Sequence, residues 1–185
     1  MDGTNSTTLD TTMLKAGTSF TYQELTNIFD QLEPVSIDQM IGRWQGSEFV
    51  TGHYIEGALA TSGWYGKEFR DAESVHPLVY YADKNRTKTF QINPMLTSFH
   101  PLLINLMKKN YAHSIVRAVK WLVGTKRYTA RLRMQEYRGK VSATMIYDAL
   151  PICDVFRKID DNRVLGVMDL RGMEEPYFFM LERVF

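Results

Sequence analysis

Tyr128-Thr129-Ala130-Arg131-Leu132-Arg133-Met134-Gln135-Glu136 changes character at every step. Ala130, Leu132 and Met134 fall on one side of an extended chain and Arg131, Arg133 and Gln135 on the other, which is a strand with one dry and one wet face. Arg138-Gly139 then turns the chain. Strand patterns return at 141–147, 155–159, 164–169 and 176–183, with Asp160-Asp161-Asn162 and Arg171-Gly172 as turns. Short strands joined by tight turns make an antiparallel meander, and closing into a barrel is the simplest way for it to lose its edges.

Upstream, residues 42–51, 58–69, 78–82 and 87–92 are rich in aromatic and β-branched residues and also read as strands, with a hairpin turn at Asp83-Lys84-Asn85-Arg86. Thr21-Tyr22-Gln23-Glu24 has capping-box spacing. Tyr22, Leu25, Ile28, Phe29 and Leu32 follow on one helical face, and Pro34 ends the helix.

A second helical pattern, an insert near residues 98–123, carries Leu103, Leu106, Met107, Tyr111, Ile115, Val119 and Leu122 as an approximate apolar stripe. Lys108-Lys109-Asn110 interrupts it, so it is too broken to span a bilayer, which needs ~20 mostly apolar residues. A helical cover over one barrel end is expected; the sharper alternative is an amphipathic segment touching a membrane.

The expected organisation is a mobile tail at 1–19, rich in Thr, Ser and Gly, then one mainly β domain at 20–185. Within it lie a first strand-rich half at 36–92, the insert at 93–126 and a C-terminal meander half at 127–185. No repeat or linker separates the halves, so they should share one core.

In a chain of 185 residues, 22 Lys and Arg stand against 21 Asp and Glu, for a formal net charge of +1. No global field gathers nucleic acid or an anionic membrane, and partners must be recognised locally. Residues 117–140 are locally basic, but Arg131 and Arg133 are accounted for as the wet face of a strand. A basic face docking to anionic lipid ranks above RNA. The lone Cys153 forms no internal bridge, and the first thirty residues lack an apolar run behind a basic start, so a reducing, cytoplasmic setting is expected. Ten Met, ten Phe, ten Tyr and three Trp suit either a Met-rich core or an adaptable apolar cavity.

His53, His76, His100 and His113 are scattered without ligand spacing, so no metal is expected. No glycine-rich phosphate loop and no Gly-x-Ser-x-Gly elbow occurs, which leaves cofactor-free chemistry. His53 is the first proton-transfer candidate, since an unperturbed imidazole titrates near ~6.5; the competing reading is a hydrogen bond across a turn. Lys67, after Trp64 and Tyr65, is a candidate base or charge clamp, or a solvated strand end. Asp148, Asp154, Arg157, Lys158, Asp160 and Asp161 form a dense charged stretch. Turn caps and exposed ion pairs explain most of it, and inward-pointing Asp148 and Arg157 are the functional alternative.

Gly42-Arg43-Trp44-Gln45-Gly46, then Thr51-Gly52-His53 and Gly63-Trp64-Tyr65-Gly66-Lys67, resembles the signature of the GXWXG family. The stretches 142–148, 151–152, 154–158 and 165–169 are similar to the domain of unknown function that usually accompanies it. The resemblance covers roughly residues 36–183, with 93–126 fitting least; where the family pattern implies an Asp after the histidine, this chain has Glu56. Gly42-Arg43-Trp44 after a helical turn at 36–40 also resembles the opening of lipocalin barrels. That implies a bend at Gly42, a floor plugged by Trp44 and an opposite end open to a ligand.

These readings converge on an antiparallel, lipocalin-like β-barrel with an N-terminal helix, binding a hydrophobic small molecule and no nucleic acid. One function is a cofactor-independent enzyme of cyclase, cycloaddition, isomerase or lyase type acting on a terpenoid, polyketide or lipid-like substrate, with His53, Tyr65 and Lys67 as its chemical groups. The other is a non-catalytic lipid or fatty-acid carrier or sensor. In both, Trp44, Trp64, Met168 and Phe179 contact the ligand and Asp148 and Arg157 orient its polar group. Oligomeric state is left open.

Overall fold

The computed structural model describes residues 11–97 and 101–185. The first ten residues of the expected tail, and His100, lie outside the described residues. From Thr11 the rest of that tail is part of the fold: Leu14 is buried, and Ser19 bridges to Val50.

Ten strands are present among the described residues: β1 (Glu33–Pro34), β2 (Gly42–Glu48), β3 (Trp64–Phe69), β4 (Val75–Tyr81), β5 (Thr89–Gln91), β6 (Ala130–Tyr137), β7 (Lys140–Tyr147), β8 (Ile152–Lys158), β9 (Arg163–Leu170) and β10 (Tyr177–Val184). The helices are α1 (Tyr22–Gln31), α2 (Ile37–Met40), α3 (Ala58–Ser62), α4 (Pro101–Met107), α5 (Ala112–Ala118) and α6 (Lys120–Val123). Strands β2, β3, β4, β6, β7, β8, β9 and β10 pair antiparallel in a circuit. Pairing of β10 with β2, from Phe179 opposite Glu48 to Val184 opposite Arg43, closes the barrel. No helix among the described residues is long and apolar enough to cross a membrane.

The weak joint is β4 with β6, which share one register pair, Val75 opposite Ala130. Beyond it β4 turns to β5, from Val79 opposite Gln91 to Tyr81 opposite Thr89. The insert fills the gap: Asn93 N–H donates to Val123 O and Thr125 N–H to Gln91 O, both at 2.9 Å. The expected single stripe is three short helices, broken next to Lys108-Lys109-Asn110 and again at Val119.

The expected capping box of α1 is formed, Thr21 and Glu24 each satisfying the other's backbone N–H. Leu25 and Phe29 pack on the outside of the barrel against Val155, Leu165, Val167, Phe178 and Met180. Strands β8 to β10 are therefore dry on both faces, which is why 164–168 and 177–181 read as nearly continuous apolar runs.

Residues 58–69 are not one strand. Residues 58–62 form α3, because Glu48 at the end of β2 accepts Gly57 N–H at 3.1 Å and Ala60 N–H at 2.8 Å, capping a helical turn from another strand.

The Gly-x-Trp-x-Gly motif builds the floor. Gly42 has φ +130° and bends the chain into β2. Trp44 is buried, donates its Nε1–H to Met40 O at 2.8 Å and lies 4.3 Å beneath the Arg183 guanidinium. Gly46 lies directly under the Trp64 ring, where a Cβ has no room.

Candidate functional site

Lys67 reaches the barrel interior because β3 is bulged. Its register with β4 slips between Trp64 and Gly66 and again between Gly66 and Glu68, so Trp64, Lys67 and Phe69 share the inner face despite their uneven spacing. Opposite the bulge stands Pro77, whose missing N–H costs no ladder bond there and whose carbonyl accepts from Lys67 Nζ at 3.3 Å. Gly66 is required at this point, since a Cβ would collide with the Trp44 carbonyl.

Across the barrel, Ile152, Asp154 and Phe156 point inward from β8. Lys67 Nζ sits 2.7 Å from Asp154 Oδ2, with the two side chains 3% and 1% exposed. The ammonium also lies 5.0 Å from the Phe179 ring centroid, 5.7 Å from Trp64 and 5.9 Å from Tyr147, close enough for cation–π attraction. Burial raises the Asp154 pKa above the ordinary carboxylate range, with Lys67 acting against that rise. Burial and the Asp154 charge together push the Tyr147 phenol well up.

Beside the pair is a cavity of about 30 Å³, walled by Leu59, Leu78, Met168 and Tyr177 as well as by the ion pair and its aromatic neighbours. It has room for roughly two water-sized groups. Asp154 Oδ1 and Trp64 Nε1 both belong to residues lining it, both are buried, and neither has a hydrogen-bond partner. A polar line continues to the rim: the Tyr177 hydroxyl donates to Glu48, whose carboxyl burial pushes up.

A larger apolar pocket of about 180 Å³ lies between the insert and the seam, lined by residues including Tyr80, Ile92, Leu103, Leu106, Ile115 and Val119. Burial pushes the Tyr80 phenol up to about 12. Tyr80 is the register partner of Trp64, so the two cavities are neighbours across one strand pair.

Of the expected site residues, Trp64, Lys67, Met168 and Phe179 come together here, while Trp44 is sealed in the floor. His53 clips two loops: its Nδ1 accepts Ile55 N–H at 3.2 Å, which leaves Nε2–H to donate to Glu175 O at 3.0 Å. Both ring nitrogens are thus engaged, and burial lowers its pKa. Tyr65 faces outward, packed on Tyr81 beneath Arg43.

Asp148 and Arg157 do not point into the barrel. Asp148 is exposed, 3.4 Å from Arg131. Arg157 has the opposite strand parity to Asp154 and lies under α1, 4.9 Å from the Phe29 ring, donating to Tyr137 O and Lys140 O. Tyr147, Tyr177 and Glu48 are polar residues near the cavity that sequence reasoning did not single out, and Asp154 was named only as part of the charged stretch. Asp154 shares its parity with Ile152 and Phe156, but Arg157 shares its own with the equally buried Val155, so parity did not separate them.

Such a barrel, with Trp44 of the Gly-x-Trp motif buried in its core and a small cavity beside a buried ion pair, is a fold compatible with binding a small molecule. Residues 27–84 match the GXWXG family profile and residues 128–183 that of a domain of unknown function (DUF4334). The chain belongs to the GXWXG family, with that domain as its C-terminal half. The structure is similar to a crystal structure of a protein from Thermomonospora curvata, 32% identical over 88% of this chain and 87% of that one, with a TM-score of 0.60. No curated protein matches the chain.

Proposed function

We propose that the barrel binds an apolar small molecule bearing one hydroxyl or carbonyl and isomerises or cyclises it without a cofactor, using Lys67 and Asp154 as its chemical groups. The observation that carries this is the buried ion pair facing a cavity with one carboxylate oxygen unpartnered. A buried pair is poor value for stability, since well-packed apolar residues usually replace it at no loss. Its presence beside a cavity walled mostly by apolar and aromatic side chains points to chemistry.

A carboxylate with a raised pKa accepts and returns a proton more readily near neutral pH than an ordinary one. Asp154 takes a proton from the carbon between a carbonyl and a carbon–carbon double bond of the substrate, the Lys67 ammonium stabilises the developing oxyanion, and the proton returns to the far carbon of that double bond, which shifts into conjugation. The net change is an isomerisation, balanced with no oxidant or co-reactant. Trp64 and Phe179 hold the substrate in the geometry the step needs.

A carrier is the second reading. The 180 Å³ pocket favours it, since Tyr80 is the one titratable side chain among its lining residues and its phenol stays protonated.

Native mass spectrometry of the freshly purified chain, with extraction of what co-purifies, tests both. The enzyme reading expects a single class of apolar molecule, converted to an isomer of equal mass by the parent and retained unconverted by Asp154→Asn. Retention with no conversion by the parent supports the carrier. Protein free of ligand, and unable to bind a fluorescent fatty acid, refutes both.

A further inference from the structure

We infer that the helical insert is a docking surface for an anionic lipid bilayer. Residues 94–127 contain Lys108, Lys109, Arg117, Lys120, Lys126 and Arg127 and not one Asp or Glu. Among the described residues, none of these six lies within ion-pair distance of a carboxylate. The basic residues that follow behave differently: Arg131, Arg133 and Arg138 are bridged to Asp148, Glu73 and Asp30. The insert is thus a continuous stretch of a nearly neutral chain whose positive charge has no acidic residue within it to offset it.

The same segment exposes Leu96, Leu103, Leu106, Ile115, Trp121 and Leu122, with Trp121 82% exposed. Large apolar side chains interleaved with cations on short helices suit the boundary between headgroups and acyl chains, where an indole ring is an effective anchor. Leu96, Leu103, Leu106 and Ile115 also line the 180 Å³ pocket, so they form its rim. Seated on a bilayer, that rim opens the pocket onto the acyl layer and lets an apolar molecule pass in without crossing water. A second copy fits less well, because two such inserts meeting face to face would set like charges against each other. The docking rests on surface composition and is independent of the chemistry assigned to Lys67 and Asp154.

The test uses the full chain and its own fluorescence. Trp44 and Trp64 are buried, so Trp121 dominates any change on contact with lipid. Phosphatidylcholine vesicles containing phosphatidylglycerol should float the protein and shift its emission to the blue, and pure phosphatidylcholine vesicles should do neither. Trp121→Phe should lose the shift while still floating. Each of Lys109→Ala and Lys120→Ala should weaken partitioning about fivefold at low salt. Asp154→Asn should bind vesicles like the parent, which separates this inference from the proposed reaction. No flotation with anionic vesicles, binding indifferent to vesicle charge, or concentration-dependent dimerisation that buries Trp121 without lipid would each overturn it.

Discussion

Replacing Lys67 by Met leaves the Asp154 carboxyl buried without its cation, and the size of the penalty is set by that isolation. Both side chains are almost wholly shielded, and the Pro77 carbonyl that also faces the ammonium offers nothing to a carboxylate. Removing one partner of such a pair costs about 4 kcal/mol, while replacing both by apolar residues of similar volume is neutral or stabilising. Lys67→Met should therefore lower the urea midpoint by about 2 M, taking a slope of about 2 kcal/mol per molar. Lys67→Met with Asp154→Leu should recover most of that loss while abolishing any turnover.

The penalty should also depend on pH, with a definite sign. The folded pKa of Asp154 is raised by burial, and loss of Lys67 raises it further. A carboxyl that binds its proton more tightly when folded contributes stability at acid pH and loses it as pH rises through the folded pKa. Lys67→Met should be closest to the parent near the ordinary carboxylate pKa and fall behind as pH climbs. A double variant destabilised by the sum of its single changes, with no coupling, would refute the account of the pair.

Gly46→Ala puts a methyl into the Trp64 ring and should cost about 1–3 kcal/mol, read as a lower melting temperature with altered near-ultraviolet dichroism. Gly66→Ala meets backbone instead of a side chain and should destabilise more. Ser142→Ala removes the hydroxyl that accepts Val35 N–H at 2.9 Å and donates to Phe156 O at 2.6 Å, leaving the Val35 N–H unpaired for about 1–3 kcal/mol in urea titration. Burial holds the His53 pKa down, so the folded state resists protonation. Stability from the neutral ring is full above about 6.5 and is lost as pH falls towards the folded value, and His53→Gln should flatten that part of the pH–stability curve.

The meander was legible wherever one strand face is wet. Along β6, Arg131 and Arg133 mark the outside and Ala130 and Leu132 the inside, and the turns at Arg138-Gly139 and Asp160-Asp161-Asn162 follow from residue type alone. Legibility failed where a second layer dried the outer face. With α1 over β8, Val155 is as buried as Phe156, alternation disappears, and inward Asp154 cannot be told from outward Arg157 by composition. The helical turn at 58–62 was illegible for another reason: its cap, Glu48, comes from a different strand. Lys67 was visible as a candidate, but which face it takes depends on a bulge that the period-two pattern does not contain.

The two tryptophans inside the barrel differ in how well their indole N–H groups are satisfied. Trp44 has what a core indole needs, an acceptor in Met40 O and a guanidinium over its ring, and Arg183 itself donates to Ile41 O at 2.8 Å. Trp64 is nearly as buried, yet its Nε1–H has no partner, and neither does Oδ1 of Asp154, which lines the same cavity. An orphaned buried donor and an orphaned buried acceptor each cost about 1–3 kcal/mol. A group able to accept from Trp64 and donate to Asp154 relieves both, and among simple polar groups a hydroxyl does this with one atom. An apolar alcohol, or a carbonyl that becomes an enol at the site, matches both orphans and the greasy walls. A saturated hydrocarbon satisfies neither, so a small alcohol that fits the cavity of about 30 Å³ should bind tenfold or more tightly than the alkane of equal length. Equal affinity would mean that the orphaned pair plays no part in recognition.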